Sequence, residues 1–231
     1  MMEVSFQTKD DVTIFADYYT PQEFLQGQLK GIILIHMMPE TKSSFKDFAE
    51  KLTDENFFAL AIDLRGHGKS TDYEGIKLDY SFFTDTEHQK SILDIGAGVD
   101  FFKKKIIQTY AVIGASIGAN LALWYQSSNT DVAKTVLLSP GYNYRGIKIQ
   151  PLLLQLEESQ GIYFIGGSTD NKTAALDSGQ NAGQIVQVLY NETRVRNKKM
   201  EILSTDAHGT ELFKFDSTLM DRVIVWLGNE N

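Results

Sequence analysis

The chain has 231 residues, 42% of them apolar, with 30 acidic and 22 basic residues and a formal net charge of −8. That is the composition of a folded chain long enough to bury a substantial core, not of a disordered one. It contains no cysteine, which excludes disulfides, thiolate metal sites and cysteine nucleophiles, and its acidic balance argues against a nucleic-acid partner.

Met1 to Phe6 has no basic stretch followed by an apolar run, so no signal peptide is expected. No apolar stretch approaches the roughly 20 residues needed to cross a bilayer, so no membrane insertion is expected and a cytoplasmic enzyme is the default reading. Val4 to Tyr19 alternates around Asp10-Asp11 as two adjacent strands would. Gly31 to His36 and Phe57 to Leu64 are short continuous apolar runs, the pattern of strands buried on both faces. Between them Ser43 to Asn56 has an amphipathic helical period, with Ser43 or Ser44 placed to cap it. Thr86 to Lys105 reads as one long helix with an exposed His88 in its first turn, and Lys103-Lys104-Lys105 as its solvated end.

Tyr110 to Gly114 is a strand and Ile117 to Gln126 a helix. Strands follow at Thr135–Leu138, Gly161–Ile165 and Lys199–Leu203, with helices at Ala182–Tyr190 and Glu211–Leu227. The basic run Arg194 to Lys199 reads as another solvated end, not a binding site. Strands alternating with helices imply βαβ units and a mostly parallel sheet of about eight strands, in one domain over residues 1–231.

Gly114-Ala115-Ser116-Ile117-Gly118 is a G-x-S-x-G motif set between a buried strand and a helix. A sharp turn there lifts a serine hydroxyl above the sheet, and the flanking glycines are needed because the limbs of the turn pass too close for a β-carbon. A dinucleotide fingerprint fails, since Ser116 and Ala119 stand where its second and third glycines belong.

With these residues the whole chain resembles an α/β-hydrolase, in particular the small ester hydrolases and the serine-aminopeptidase-like and dienelactone-hydrolase-like members. Asp11 to Pro21 resembles that group's opening strands, and Ile62-Asp63-Leu64-Arg65-Gly66-His67-Gly68-Lys69-Ser70 resembles its D-x-R-G-x-G-x-S turn. The resemblance implies a nucleophilic serine followed in the chain by an acid and then a histidine. Of the four histidines, only His208 follows Ser116, in a loop after the last strand, which makes it the candidate base. Gly161 to Asp170 resembles the family's strand-then-G-x-x-D pattern, which makes Asp170 the candidate acid, with Asp177 as the fallback.

The same resemblance places the oxyanion donors at the backbone N–H of Ile117 and in His36-Met37-Met38-Pro39, where Met38 stands at the donor position of H-G-x-P. Met37 replaces the usual glycine, so a positive φ there would be strained and the donor could be Met37 or Met38. Met37, Met38 and Tyr142 are candidate substrate contacts, with Tyr144 beside Tyr142 at the rim. Ser139 to Gly161 is too short for a large cap domain and reads as a loop with one short helix near Leu152–Leu154. No cofactor is implied. His36, His67 and Asp63 match no metal-binding spacing, and no metal is expected. The reading is a serine hydrolase of short-chain carboxylic esters. A peptide, thioester, lactone or C–C bond on the same fold, or a silent binding protein, stand as alternatives.

Overall fold

The computed structural model describes residues 1–22, 29–172 and 179–229. They fall into two compact units, Met1–Tyr110 and Ala111–Asn231. The first contains β1 (Met2–Gln7), β2 (Thr13–Tyr19), β3 (Lys30–Ile35), α1 (Lys46–Asp54), β4 (Phe58–Ile62), β5 (Asp72–Tyr73), β6 (Ile76–Lys77), α2 (Asp85–Gln89) and α3 (Ile92–Lys104). β7 (Gln108–Ala115) leads into the second. There follow α4 (Ile117–Ser127), β8 (Lys134–Leu138), β9 (Asn143–Tyr144), β10 (Ile147–Lys148), α5 (Ile149–Leu153), β11 (Gly161–Gly167), α6 (Ala182–Glu192), β12 (Lys198–Leu203), α7 (Glu211–Phe215) and α8 (Leu219–Gly228).

Eight strands form a sheet in the order β1-β2-β4-β3-β7-β8-β11-β12. The pairs β1–β2 and β2–β4 are antiparallel, while β3–β4, β7–β8, β8–β11 and β11–β12 are parallel. The apolar runs explain the positions: β4, β8 and β11 are buried along their whole length, as strands covered by helices on both faces must be. β1 and β12 lie at the edges, and β12 carries Lys198, Lys199 and Glu201, charges that discourage further strand pairing.

Three helix expectations change. The stretch read as one helix from Thr86 breaks at Lys90-Ser91, where the bonds shorten to an i→i−3 spacing from Ser91 N to His88 O and from Asp94 N to Ser91 O. His88 is buried rather than exposed, its ring edge-on to Phe83 at 5.4 Å. The closing helix breaks at Asp216, whose carboxylate accepts from Thr218 N and Oγ1 and so starts a new helix at Leu219. Neither Ser43 nor Ser44 caps α1; a 3₁₀ turn over Lys42–Phe45 precedes it instead. Two short hairpins were also unforeseen. Each turns on a positive-φ pair, Glu74-Gly75 in β5–β6 and Arg145-Gly146 in β9–β10.

The Asp63–Ser70 turn has a structural explanation residue by residue. Asp63, fully buried, accepts Lys42 N at 2.8 Å, Lys42 Nζ at 3.0 Å and Lys69 N at 3.1 Å. A Cβ on Gly68 would lie 2.3 Å from Asp63 Oδ2, and its φ is +52°, so only glycine fits. Arg65 donates to both Asp94 and Asp10, and holds the Asp10 carboxyl down at about 2. Ser70 Oγ donates to Asp63 O and accepts Phe15 N, tying the turn to β2. His36 and His67 pack with ring centroids 4.8 Å apart, and His67 stacks on Tyr80. In the second unit the buried Lys134 ammonium donates to the carbonyls of Trp226, Leu227 and Asn229, closing the C-terminal end of α8 with a cation.

Candidate active site

β7 runs straight into α4 with one residue between them. Ser116 takes φ 56° and ψ −120°, a region that non-glycine residues avoid at a cost of roughly 1–3 kcal/mol. The crossing is so tight that a Cβ on Gly114 would lie 2.0 Å from Gly118 O. Ser116 N donates to Leu138 O at 2.8 Å, which holds the turn against the end of β8. The N–H groups of Ala119 and Asn120 turn back to Ser116 O, while those of Ile117 and Gly118 precede the first intrahelical bond and carry the positive end of α4.

Asp170 follows β11 and is fully buried. Its Oδ2 accepts His208 Nδ1 at 2.7 Å and its Oδ1 accepts Lys172 N at 3.1 Å. Its loop and the His208 loop touch at Gly167, where a Cβ would lie 2.4 Å from Thr205 O. With Nδ1 donating to the carboxylate, neutral His208 keeps its lone pair on Nε2, which bonds to none of the described residues.

Two further side chains hold the His208 loop. Glu211 Oε2 accepts His208 N at 3.0 Å and Lys172 Nζ at 2.9 Å, and the lysine holds the Glu211 carboxyl below its ordinary range. Ser139 Oγ accepts Gly209 N at 3.0 Å. Neither was foreseen. The H-x-x-E spacing of His208 and Glu211 is a legible loop-capping signal, whereas nothing in Ser139-Pro140-Gly141 beyond a strand stop announces Ser139.

The other expected residues are placed as follows. Met37 is buried and does not adopt a positive φ, so the strain considered for this departure from glycine does not arise; its carbonyl accepts His36 Nδ1. Met38 is partly exposed, and both methionines belong to the first unit. Tyr142 lines a cavity of about 810 Å³ with Lys148, Leu154 and Arg194, and Ser116, Asp170 and His208 are not among its lining residues. Tyr144 is buried against Gly141 and is not a rim residue. The Ser139–Gly161 connection holds the β9–β10 hairpin and α5, and is pinned by Asn120, which donates to Gly141 O and Ile147 O. Asp177 lies outside the described residues. His36 spends both ring nitrogens on backbone, with Leu64 N donating to its Nε2. Among the described residues no three His, Asp or Glu side chains group to hold a metal ion, and no helix is long and apolar enough to cross a membrane.

The sequence model of the family described as "Serine aminopeptidase, S33" matches residues 28–230. No curated protein sequence matches. Solved structures agree over nearly the whole chain at low identity. The esterase Pf2001 of Pyrococcus furiosus is 20% identical, with a TM-score of 0.73 over 98% of this chain and 91% of that one. The esterase EaEST of Exiguobacterium antarcticum is 13% identical, with a TM-score of 0.72 over 99% of this chain and 100% of that one. The α/β hydrolase GrgF from Penicillium sp. sh18 is 14% identical, with a TM-score of 0.71 over 98% and 97%. At such identities the likeness speaks for the fold, while the family match spans most of the sequence: the chain belongs to the S33 serine-aminopeptidase-like family of α/β hydrolases.

Proposed function

We propose that this hydrolase cleaves short-chain carboxylic esters through an acyl-enzyme on Ser116, with His208 as general base and Asp170 as its partner. The observation that carries the reading is the 2.7 Å bond from His208 Nδ1 to the buried Asp170, which leaves Nε2 as an open acceptor. In this reading Ser116 Oγ adds to the ester carbonyl carbon as its proton passes to His208 Nε2. Asp170 stabilises the imidazolium without taking the proton. The developing oxyanion meets the N–H of Ile117. The family resemblance of His36-Met37-Met38-Pro39 implies a second donor at the N–H of Met38. Collapse of the intermediate breaks the C–O bond, and the leaving alkoxide takes the proton from Nε2. Water, deprotonated by the same nitrogen, then releases the acid and restores Ser116.

Ester preference over amide is drawn from the esterase neighbours; the family's own description names an aminopeptidase, so the amide is the reading to test beside it. The Ser139–Gly161 connection holds only a short hairpin and the five-residue α5, and each CH₂ contributes about 0.8 kcal/mol only where there is wall to bury it against. kcat/KM on aryl esters should therefore peak at short acyl chains and exceed that on aminoacyl amides. A steady rise to long chains would overturn the substrate assignment. Ser116→Ala should lower kcat by on the order of 10³-fold or more in a folded protein and abolish fluorophosphonate labelling. Near-normal turnover in that variant would end the serine-hydrolase reading.

A further inference from the structure

We propose that Ser139 is the positioning residue that fixes the separation between Ser116 and His208; the inference rests on the serine-hydrolase reading above. Ser116 and His208 share no hydrogen bond with each other among the described residues, so their spacing must be set through the scaffold. A short hydrogen-bonded route passes through the end of β8. Ser116 N donates to Leu138 O at 2.8 Å, and Ser139 is the next residue. Ser139 Oγ in turn accepts from Gly209 N at 3.0 Å, and Gly209 is the next residue after His208. One covalent step on each side thus links the nucleophile's backbone to the base's backbone.

The link is held stiff. Ser139 is fully buried, and its own N–H donates to Ile165 O at 2.8 Å, which clamps it to β11. It takes a φ of +50°, a conformation that glycine adopts freely and serine rarely does. Glycine would serve this backbone better, so what serine adds is the hydroxyl. That hydroxyl meets Gly209 where the base loop itself turns with φ +57°. The preceding amide, His208 N, is taken by Glu211, and the ring by Asp170, so the imidazole is held at three points. Of these three, the Ser139 contact lies one residue from Leu138, the acceptor for the nucleophile's own N–H. Positioning at this level acts on the proton transfer between Oγ and Nε2, not on substrate affinity. It should therefore appear in kcat and leave KM alone.

The experiment compares Ser139→Gly, Ser139→Ala and Ser116→Ala with the parent protein. It reads thermal stability, kcat and KM on a short acyl ester, and the rate of fluorophosphonate labelling. Ser139→Gly removes the hydroxyl while relieving the positive φ, so it should be the more stable of the two Ser139 variants. Both should nevertheless lose kcat and labelling rate by about 10- to 100-fold, with KM within about twofold of the parent. A Ser139→Gly protein that keeps kcat within about threefold overturns the proposal, as does a loss that follows the order of stability. A parent protein that neither turns over the ester nor takes the probe overturns the serine-hydrolase reading and this inference with it. An active parent with an active Ser139→Gly overturns this inference alone.

Discussion

Each unit of this protein buries an aspartate close to a histidine and crowds a glycine against the same region, and the two clusters use their hydrogen-bonding capacity differently. In the first unit every oxygen of Asp63 serves a donor: Lys42 N on one, Lys42 Nζ and Lys69 N on the other. Neighbouring His36 spends one nitrogen on Met37 O and the other on Leu64 N. Gly68 is there to let the turn close over the carboxylate. In the second unit Asp170 gives one oxygen to Lys172 N and the other to His208, whose Nε2 bonds to none of the described residues. Gly167 lets the two loops touch, and the strained Ser116 stands at the end of β7. A buried polar cluster holds backbone together by using up its hydrogen-bonding capacity. On the proposed serine-hydrolase reading, the second cluster leaves His208 Nε2 unspent among the described residues while Ser116 is held in a costly conformation.

The comparison breaks most visibly at the two carboxylates. Asp170→Asn keeps the shape but offers His208 Nδ1 the wrong partner, so kcat should fall by about 10³- to 10⁴-fold with little change in stability. Asp63→Asn should do the reverse. It strips a buried carboxylate from Lys42, which should cost roughly 3 kcal/mol in urea unfolding, while the folded fraction keeps kcat within a few-fold. Equal activity losses from both substitutions would mean that the two clusters do not differ in kind.

This contrast is only half legible in the sequence. The strand runs and the elbow at Gly114–Gly118 are written in residue types at fixed spacing, because each needs a particular backbone; the Ser116, Asp170, His208 order is what the family resemblance implies. The structure does bring Asp170 to His208. What the sequence hides are contacts made across long separations by ordinary residues: Ser139 to Gly209, 70 positions apart, and Asn120 to Ile147, 27 apart. The helix breaks at Lys90-Ser91 and Asp216 were hidden for a different reason. Local hydrogen bonding overrode a continuous apolar period. The hairpins were missed although Tyr-x-Gly-Ile-Lys occurs in both, at Tyr73–Lys77 and Tyr144–Lys148. In one Ile76 is 62% exposed, in the other Ile147 is 4% exposed. The local sequence builds the turn, and only the surroundings decide whether it is buried.

The histidines sharpen the comparison through pH. Burial pushes His36 down to about 4, with a further push from His67, and burial also lowers His67. The geometry gives the reason. A proton on His36 Nε2 would face the Leu64 N–H that now donates to it, and one on His67 Nε2 would enter a buried place with no acceptor among the described residues. In the unfolded chain both rings take up protons near pH 6.5. Because the folded values lie lower, the stability is fully present above about 6.5 and is lost as pH falls from there toward 4. The melting temperature should therefore drop steeply over that window. His67→Phe, which keeps an aromatic ring against Tyr80, should make the drop shallower, because one titrating ring is gone and His36 loses the push from His67. A melting temperature flat between pH 7 and 4.5 would show that the His36–His67 pair does not resist protonation.

The smallest expected effect lies in the second unit, at the edge of the site. Lys172 touches both loops: its backbone N–H donates to Asp170 Oδ1, and its ammonium pairs with Glu211 at 2.9 Å. The two contacts look like one clasp, yet their physics differs. The ammonium pair is exposed, with the two side chains 57% and 45% accessible, so water and salt screen it and its formation orders two long side chains. The backbone contact reaches a fully buried oxygen and does not depend on the side chain at all. Lys172→Met should consequently cost under about 0.5 kcal/mol and leave kcat within about twofold, and 1 M salt should change the parent no more than the substitution does. Glu211 still accepts His208 N in that variant, so the base loop keeps its hold. A tenfold loss of kcat in Lys172→Met would mean that the exposed pair, rather than the buried contacts beneath it, sets the distance between the two loops.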